Sequence, residues 1–438
     1  MRTSRASSTS PQAPRKKRSF GRILEILGPG LVTGAADDDP SGIATYSQTG
    51  AQFGYGQLWT AAFTLPLMTA IQEACARIGL VTGKGLAAVV KERYGRAVVT
   101  GAVLLILVAN TVNIGADIGA MAAAARLIIP ANFAILTLGF TAAVLLLEIY
   151  VSYRAYARIL KWLALSLAAY VITAFMVREP WGTLLTATFI PHIEFNFPFL
   201  FIVTGVIGTT ISPYMFFWEA SEEVEEERAG HLGKRDGRPK VTPRAIRRMR
   251  ADNFFGMFAS NFVTWCIIVT AATVLWAHGV TDIATSADAA RALAPLVGGF
   301  PHAGYLAEII FAAGIIGLGL LAVPVLAGSA SYAVAEAFSW KSGLNRKLRR
   351  AHGFYGVITV ATLVGLFINF VGIDPMKALV AAAVVNGVIA APLIFLVAKI
   401  ANDPAVMGEY KSGAWSNIFV WITFAAMAAA AIAMFFAQ

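Results

Sequence analysis

Charged residues are scarce in this chain of 438 residues, and their scarcity excludes a soluble fold. Asp, Glu, Lys and Arg together make up 14% of the sequence, whereas they make up about 25% of a typical soluble domain. Hydrophobic residues reach 57%, and the mean hydropathy is +0.66. A soluble protein cannot keep this much apolar surface away from water, so we expect a membrane protein.

Other absences exclude further classes. The two cysteines, Cys75 and Cys266, both fall in apolar segments, so no disulfide framework is expected. The sequence has no phosphate-binding loop beside a strand, no Cys/His zinc cluster and no nucleophile motif. We therefore expect neither an enzyme nor a bound cofactor.

The N-terminus does not have the pattern of a signal peptide, and the net charge does not indicate a nucleic-acid-binding protein. The basic N-terminus is not followed by the unbroken apolar stretch of a signal peptide, because Gly28, Pro29 and Gly30 interrupt it. Residues 1–24 are interpreted as a disordered cytoplasmic tail. The net charge of +10 does not indicate nucleic-acid binding, because the basic residues lie in the connections between apolar segments.

Long apolar runs are what the chain has in abundance. Runs of about 20 residues match a membrane-spanning helix, and continuous rather than alternating hydrophobicity favours helices over a barrel. We predict eleven spans, at roughly 28–47, 56–79, 97–128, 131–150, 158–177, 198–218, 252–276, 304–327, 354–373, 376–400 and 415–437.

The distribution of basic residues supports this count. With a cytoplasmic N-terminus, the 35 Lys and Arg residues all fall on the cytoplasmic side except Arg126, Arg178, Arg291 and Lys377. The sequence therefore predicts a multi-pass protein of the cytoplasmic membrane with its C-terminus outside and lipid around it. The charged segment 219–250 is interpreted as a solvated cytoplasmic connector.

The first predicted span carries three successive carboxylates, Asp37, Asp38 and Asp39, directly before Pro40. Each charge inside a membrane costs about 2.5–3.5 kcal/mol on insertion scales. Pro40 lacks an N–H and should break the helix, and a broken membrane helix is tolerated where its freed carbonyls line a cavity or bind an ion. Carboxylates with free carbonyls suit a hard cation. The alternative is that the triplet lies at the membrane surface and ends a helix there.

A second interruption is predicted five spans later. The sixth span holds Pro213 within the sequence Gly-Thr-Thr-Ile-Ser-Pro-Tyr at 208–214. Interrupted helices at matching positions of two five-helix halves indicate an inverted-repeat transporter. Residues near 37–42 and 208–213 should then be non-helical and adjacent in space.

Three stretches resemble the NRAMP-type divalent-metal transporters. They are Gly28-Pro29-Gly30 with Asp39-Pro40-Ser41-Gly42, the run from Ala76 to Lys84, and Met407-Gly408-Glu409. The likeness covers about residues 25–435. It implies an all-α leucine-transporter-type fold with repeat one at about 25–177, repeat two at about 198–400 and an eleventh helix at about 415–437.

The resemblance also implies a metal site. Typical members bind metal through the Asp and an Asn of the first motif, and through an Ala carbonyl and a Met sulfur on helix six. Asp39 matches the Asp, whereas Gly42, Thr209 and Ser212 replace the other three ligands. Carboxylate, hydroxyl and carbonyl oxygens suit Mg²⁺ or Mn²⁺ better than softer ions. The chain thus resembles the NRAMP-related branch associated with magnesium.

Proton coupling is less clearly implied. Tyr214 and Glu219 stand where typical members have histidines on helix six. Asn113 and Ala116 stand for the acidic pair of helix three, with Asp117 adjacent. Candidates for accessory or proton-linked roles are Asp37, Asp38, Asp117, Tyr214, Glu219 and Asn386. For Glu219 the competing interpretation is membership of the cytoplasmic acidic run; for Asp117 and Asn386 it is hydrogen bonding between helices.

The first hypothesis is therefore a secondary transporter of a divalent cation, with at least one of Asp37 and Asp38 facing an aqueous vestibule. The alternatives are proton-coupled Mn²⁺ or Fe²⁺ uptake, an amino-acid carrier on the same fold, and a membrane sensor built on a transporter scaffold. Three carboxylates at the break would repel an amino acid's carboxylate. The physiological metal, the direction of transport and the oligomeric state stay open.

Overall fold

The computed structural model describes residues 34, 37–151, 167–177, 179–229, 234–235, 238–239, 241–344 and 348–437. The tail predicted at 1–24, the beginning of the first predicted span and the first half of the fifth lie outside these residues.

The described chain is almost entirely helical. Its α-helices are α1 Pro40–Phe53, α2 Trp59–Thr82, α3 Leu86–Ala125, α4 Phe133–Tyr150, α5 Leu167–Met176, α6 Trp181–Phe189, α7 Phe197–Thr210, α8 Pro213–Ala229, α9 Pro243–Val274, α10 Ser286–Ala290, α11 Ala294–Val297, α12 Ala303–Ala337, α13 His352–Ile368, α14 Pro375–Ala401, α15 Pro404–Met407 and α16 Ala414–Phe436. Short 3₁₀ turns join some of them. Lys234–Arg235 and Arg238–Pro239 pair as a small antiparallel ladder, β1 and β2.

Seven helical stretches of the described chain are long and apolar enough to cross a membrane. They correspond to the predicted third, fourth, sixth, seventh, eighth, tenth and eleventh spans, with α7 and α8 together forming the sixth. The second and ninth predicted spans are the helices α2 and α13. The separation of the third and fourth spans is confirmed, because α3 ends at Ala125 and Pro130 lies in the non-helical stretch before α4.

The interpretation of 219–250 as a solvated connector is wrong for its first part. α8 continues through this acidic run to Ala229, and Glu223, Glu225 and Glu227 are buried. The reason is that α8 packs against α2 and α12, and Tyr332 of α12 donates to Glu225 at 2.7 Å. At the other end of the segment, α9 begins at Pro243 rather than near residue 252.

The core places α1 between several long helices. α1 packs against α9, α7 and α14, and α3 packs against α12, α13 and α14. Close contact between α7 and α14 depends on Gly208, where an added Cβ would lie 2.3 Å from the Ala383 carbonyl oxygen. Residues Pro40–Ala51 of α1 are all buried, although many are polar, so this short helix is held inside the protein rather than in lipid.

Candidate metal site

Two helix breaks define the candidate site. α1 begins at Pro40, and the residue before it, Asp39, is extended (φ −68°, ψ 172°). α7 ends at Thr210 and α8 begins at Pro213. Both prolines therefore stand at the first position of a helix, where a missing N–H costs nothing.

The breaks are shorter than the sequence suggested. Within 37–42 only Asp38 and Asp39 are non-helical, and within 208–213 only Ile211 and Ser212 are. Pro40–Gly42 already form the first turn of α1, because the Asp39 side chain caps that turn by accepting from the Gly42 N–H at 2.8 Å. The non-helical backbone at each break is thus a pair of residues.

Asp39 is buried and held on both carboxylate oxygens. Oδ1 accepts the Gly42 N–H at 2.8 Å and the Ser41 hydroxyl at 2.6 Å. Oδ2 accepts the side-chain amide of Asn113 on α3 at 2.8 Å. In the described part of the chain no Lys, Arg or His pairs with this carboxylate. The charge is therefore oriented without being neutralised.

The two breaks meet, as expected. Ser41 Oγ on α1 lies 3.3 Å from Thr209 Oγ1 on α7, and the Tyr46 hydroxyl lies 3.1 Å from Thr210 Oγ1. The C-terminal end of α7, which carries the negative end of its helix dipole, thus lies beside the Asp39 carboxylate. Both features favour a cation at this point.

The end of α7 exposes carbonyl oxygens for a chemical reason. The amide that would bond the Thr209 carbonyl in a continuous helix belongs to Pro213, which has no N–H. The Ser212 hydroxyl replaces it, lying 2.6 Å from the Thr209 oxygen and 3.2 Å from the Gly208 oxygen. The Thr209 carbonyl and Ser212 hydroxyl each keep a lone pair for an ion.

Gly42 faces the same point between the helices. A Cβ added there would lie 3.4 Å from Thr209 Oγ1, 3.5 Å from Asp39 Oδ1 and 3.2 Å from the Tyr46 ring. The Tyr46 ring therefore already fills much of the room that the missing side chain leaves.

Neither Asp37 nor Asp38 faces open water in this structure. The prediction that at least one of them faces an aqueous vestibule is therefore wrong for this structure. Both are buried, and both carboxylates lie 3.1 Å from the hydroxyl of Ser260 on α9. Sequence reasoning missed Ser260, because one serine in an apolar span is a weak signal. Among the described residues, no three His, Cys, Asp or Glu side chains form a group able to hold a metal.

The remaining candidates lie at different distances from Asp39. Asn386 on α14 donates to the Asn113 oxygen at 3.5 Å, so it reaches Asp39 through Asn113. Asp117 lies one turn along α3 from Asn113, buried, with no hydrogen bond to either carboxylate oxygen. Tyr214 and Glu219 are buried on α8, where the Tyr214 carbonyl accepts from Ser329.

A helical bundle with two opposed helix breaks at a buried carboxylate defines a polytopic membrane transporter of the leucine-transporter-type fold. The chain belongs to the NRAMP family, since residues 30–437 match the family described as natural resistance-associated macrophage protein-like. This membership confirms the resemblance and the expectation of a transporter rather than an enzyme.

Relatives and solved structures agree with this assignment. The Divalent metal cation transporter MntH of Klebsiella pneumoniae (strain 342) is 28% identical over 427 residues, covering 96% of this chain and 95% of the relative. MntH 1 of Pseudomonas aeruginosa is 24% identical over 445 residues, covering 98% and 95%.

Two solved structures show the fold. The Eremococcus coleocola manganese transporter, in complex with an aromatic bis-isothiourea substituted compound, has a TM-score of 0.69 at 16% identity, covering 97% of this chain and 88% of that one. MhsT in complex with L-phenylalanine has a TM-score of 0.61 at 12% identity, covering 93% and 98%.

Proposed function

We propose that this protein is a secondary transporter of divalent metal cations, and that Asp39 supplies the anionic ligand. The observation that carries the proposal is the Asp39 carboxylate, buried at the start of α1, held by three hydrogen bonds and paired with no basic residue of the described chain. Relatives named as divalent metal cation transporters over almost the whole chain support the same substrate class.

The remaining ligands are oxygens. Between α1 and α7, Thr209 offers its carbonyl and Ser212 its hydroxyl, and the Tyr46 ring occupies much of the room beside Gly42. One carboxylate with few other protein ligands leaves coordination positions for retained water, which Mg²⁺ keeps more readily than larger ions. Hard ions, Mg²⁺ and Mn²⁺, are therefore the favoured substrates.

Alternating access follows from the two breaks. The ion contacts one broken helix from each repeat, so a movement of one repeat against the other changes the side from which the site is reached. Proton-coupled Mn²⁺ or Fe²⁺ uptake is the competing transport model. An amino-acid carrier is disfavoured, because three buried carboxylates precede α1.

Uptake into proteoliposomes tests the proposal. Mg²⁺, Mn²⁺, Fe²⁺ and Ca²⁺ are compared under imposed and collapsed pH gradients, using wild type and Asp39→Asn. Asparagine keeps the helix cap but removes the charge, and losing such a charged contact should reduce uptake by about tenfold to a hundredfold.

Asp374→Asn is the matched control, because Asp374 is an exposed cap of α14 that accepts from the Met376 N–H. It should transport like wild type. If the Asp39→Asn protein transports as well as the control, Asp39 is not the anionic ligand of the metal. Uptake driven strongly by a pH gradient would favour the proton-coupled model.

A further inference from the structure

The carboxylates of Asp37 and Asp38 share one hydroxyl. Ser260 Oγ lies 3.1 Å from Asp37 Oδ2 and 3.1 Å from Asp38 Oδ1. A hydroxyl has one hydrogen, so it donates to only one of these oxygens at a time. When both carboxylates are ionised, the other carboxylate oxygen faces a lone pair of the Ser260 oxygen, with no proton or cation between the two atoms.

Two further buried oxygens lie on these residues and on α9. Among the described residues, neither Asp37 Oδ1 nor the Thr264 hydroxyl has a hydrogen-bond partner, although both are fully buried, which is rare for buried polar atoms. Thr264 lies one turn after Ser260 on α9, so the two hydroxyls share a helix face. Because Ser260 touches both carboxylates, the shared face places Thr264 one helical turn from them.

Charge gives an independent reason for a second ion. When all three are ionised, Asp37, Asp38 and Asp39 carry three negative charges, and no Lys, Arg or His of the described chain pairs with any of them. One divalent substrate at Asp39 neutralises two of the three charges. One negative charge then stays buried, which is costly inside a membrane protein unless a cation or a proton neutralises it.

We propose that Asp37, Asp38, Ser260 and Thr264 form a second cation site, which binds a small monovalent cation such as Na⁺ that is transported together with the divalent metal. Carboxylate and hydroxyl oxygens are hard ligands suited to such an ion. The site lies between α9 and the residues before α1, whereas the Asp39 carboxylate bonds to α3 and faces α7.

The second site adjoins the first through the backbone of 37–39. An ion bound there restrains the residues that position Asp39, so the two ions should bind with positive cooperativity. The inference rests on the proposed divalent site at Asp39.

Binding of radioactive sodium to the purified full-length protein tests the inference. Wild type should bind Na⁺ saturably, and Asp37→Asn, Ser260→Ala or Thr264→Val should weaken that binding by about tenfold or more. Thr270→Val is the matched control, because Thr270 is a buried hydroxyl of α9 that donates to the Tyr170 carbonyl instead. Melting temperatures identify any variant that fails to fold.

Divalent binding measured on the same samples separates the two proposals. Asp39→Asn should lose Mn²⁺ binding and keep Na⁺ binding, and Na⁺ should increase the Mn²⁺ affinity of wild type. Wild type that binds Na⁺ without binding any divalent ion would refute the proposed substrate and leave the sodium site standing.

Three results would overturn the second site. One is the absence of saturable Na⁺, K⁺ or Li⁺ binding. Another is mutual displacement of Na⁺ and Mn²⁺ at a single site. The third is metal uptake that depends on a proton gradient, ignores Na⁺ and loses its pH dependence in Asp37→Asn, since a proton would then occupy the place assigned to the ion.

Discussion

The side-chain amide of Asn113 donates to Asp39 Oδ2 at 2.8 Å, which ties the start of α1 to the middle of α3. Since Ser41 and the Gly42 N–H hold Oδ1, both carboxylate oxygens are oriented before an ion arrives. Such preorganisation lowers the cost of binding.

Asn113→Ala should therefore weaken divalent binding without removing it. Losing one hydrogen bond to a charged group corresponds to about 1.5–3 kcal/mol, so the dissociation constant for Mn²⁺ should rise about tenfold or more. Titration calorimetry measures this change. Asn110→Ala is the control, because Asn110 donates to the Leu326 carbonyl on α12 instead. Equal losses of Mn²⁺ affinity in the two variants would show that Asn113 does not position Asp39.

Ser212→Met should change the preference among metals. A thioether is a soft ligand that favours Cd²⁺ and is a poor exchange for water around Mg²⁺. Competition assays should show Mg²⁺ competing with Mn²⁺ in wild type and Cd²⁺ gaining over Mg²⁺ in Ser212→Met. Ser212→Ala, which removes the hydroxyl and adds no sulfur, should show no such gain. Wild type that binds Cd²⁺ tightly and ignores millimolar Mg²⁺ would refute a hard-ion site.

Gly208→Ala should destabilise the protein. Its Cβ would lie 2.3 Å from both the Ala383 oxygen and the Gly387 nitrogen of α14, so α7 and α14 must separate, at a cost of about 1–3 kcal/mol. Gly101→Ala on α3 has nothing within 4 Å of its added Cβ and should be neutral or stabilising, because alanine favours helix. Thermal unfolding of the two variants compares them, and equal melting temperatures would contradict the tight packing.

Arg77 joins two of the motifs that carry the family resemblance. It is buried on α2, pairs with Glu73 at 3.0 Å, and donates to the Tyr410 carbonyl and the Ser412 hydroxyl, just after Met407-Gly408-Glu409. Arg77→Gln should lower the free energy of unfolding by about 1–3 kcal/mol, because the Tyr410 carbonyl loses its donor while Arg250 still pairs with Glu73 at 2.9 Å. The exposed Arg349 is the control for the same substitution. A melting temperature unchanged by Arg77→Gln would contradict a structural role.

The sequence predicted the features that depend on local chemistry. Pro40 and Pro213 lack an N–H, and each begins a helix. Pro66, Pro324 and Pro392 lie inside α2, α12 and α14, so the two breaks were predicted from proline together with its polar neighbours. The placement of three successive carboxylates in an apolar segment was equally visible, but the burial of Asp37 and Asp38 away from water was not predicted. These features located Asp39 without any knowledge of how the helices pack, whereas Thr209 and Ser212 were assigned from the family resemblance.

What the sequence did not predict depends on helix rotation and packing. That Asn113 rather than Asp117 reaches Asp39 is set by the rotation of α3 about its axis. Ser260 meets Asp37 and Asp38 because α9 packs on α1, and no local pattern marks it. The burial of Glu223, Glu225 and Glu227 requires α8 to extend between α2 and α12, although their composition suggested a solvated loop.

The position of the bound metal is the most direct test of whether Asp39 is a ligand of the divalent ion. In crystals of the protein soaked with Mn²⁺, the anomalous signal of the metal locates the ion independently of transport. We expect a peak between α1 and the C-terminal end of α7, about 2.0–2.6 Å from an oxygen of Asp39, that is absent in Asp39→Asn. A peak away from Asp39, or one that persists in Asp39→Asn, would contradict this expectation.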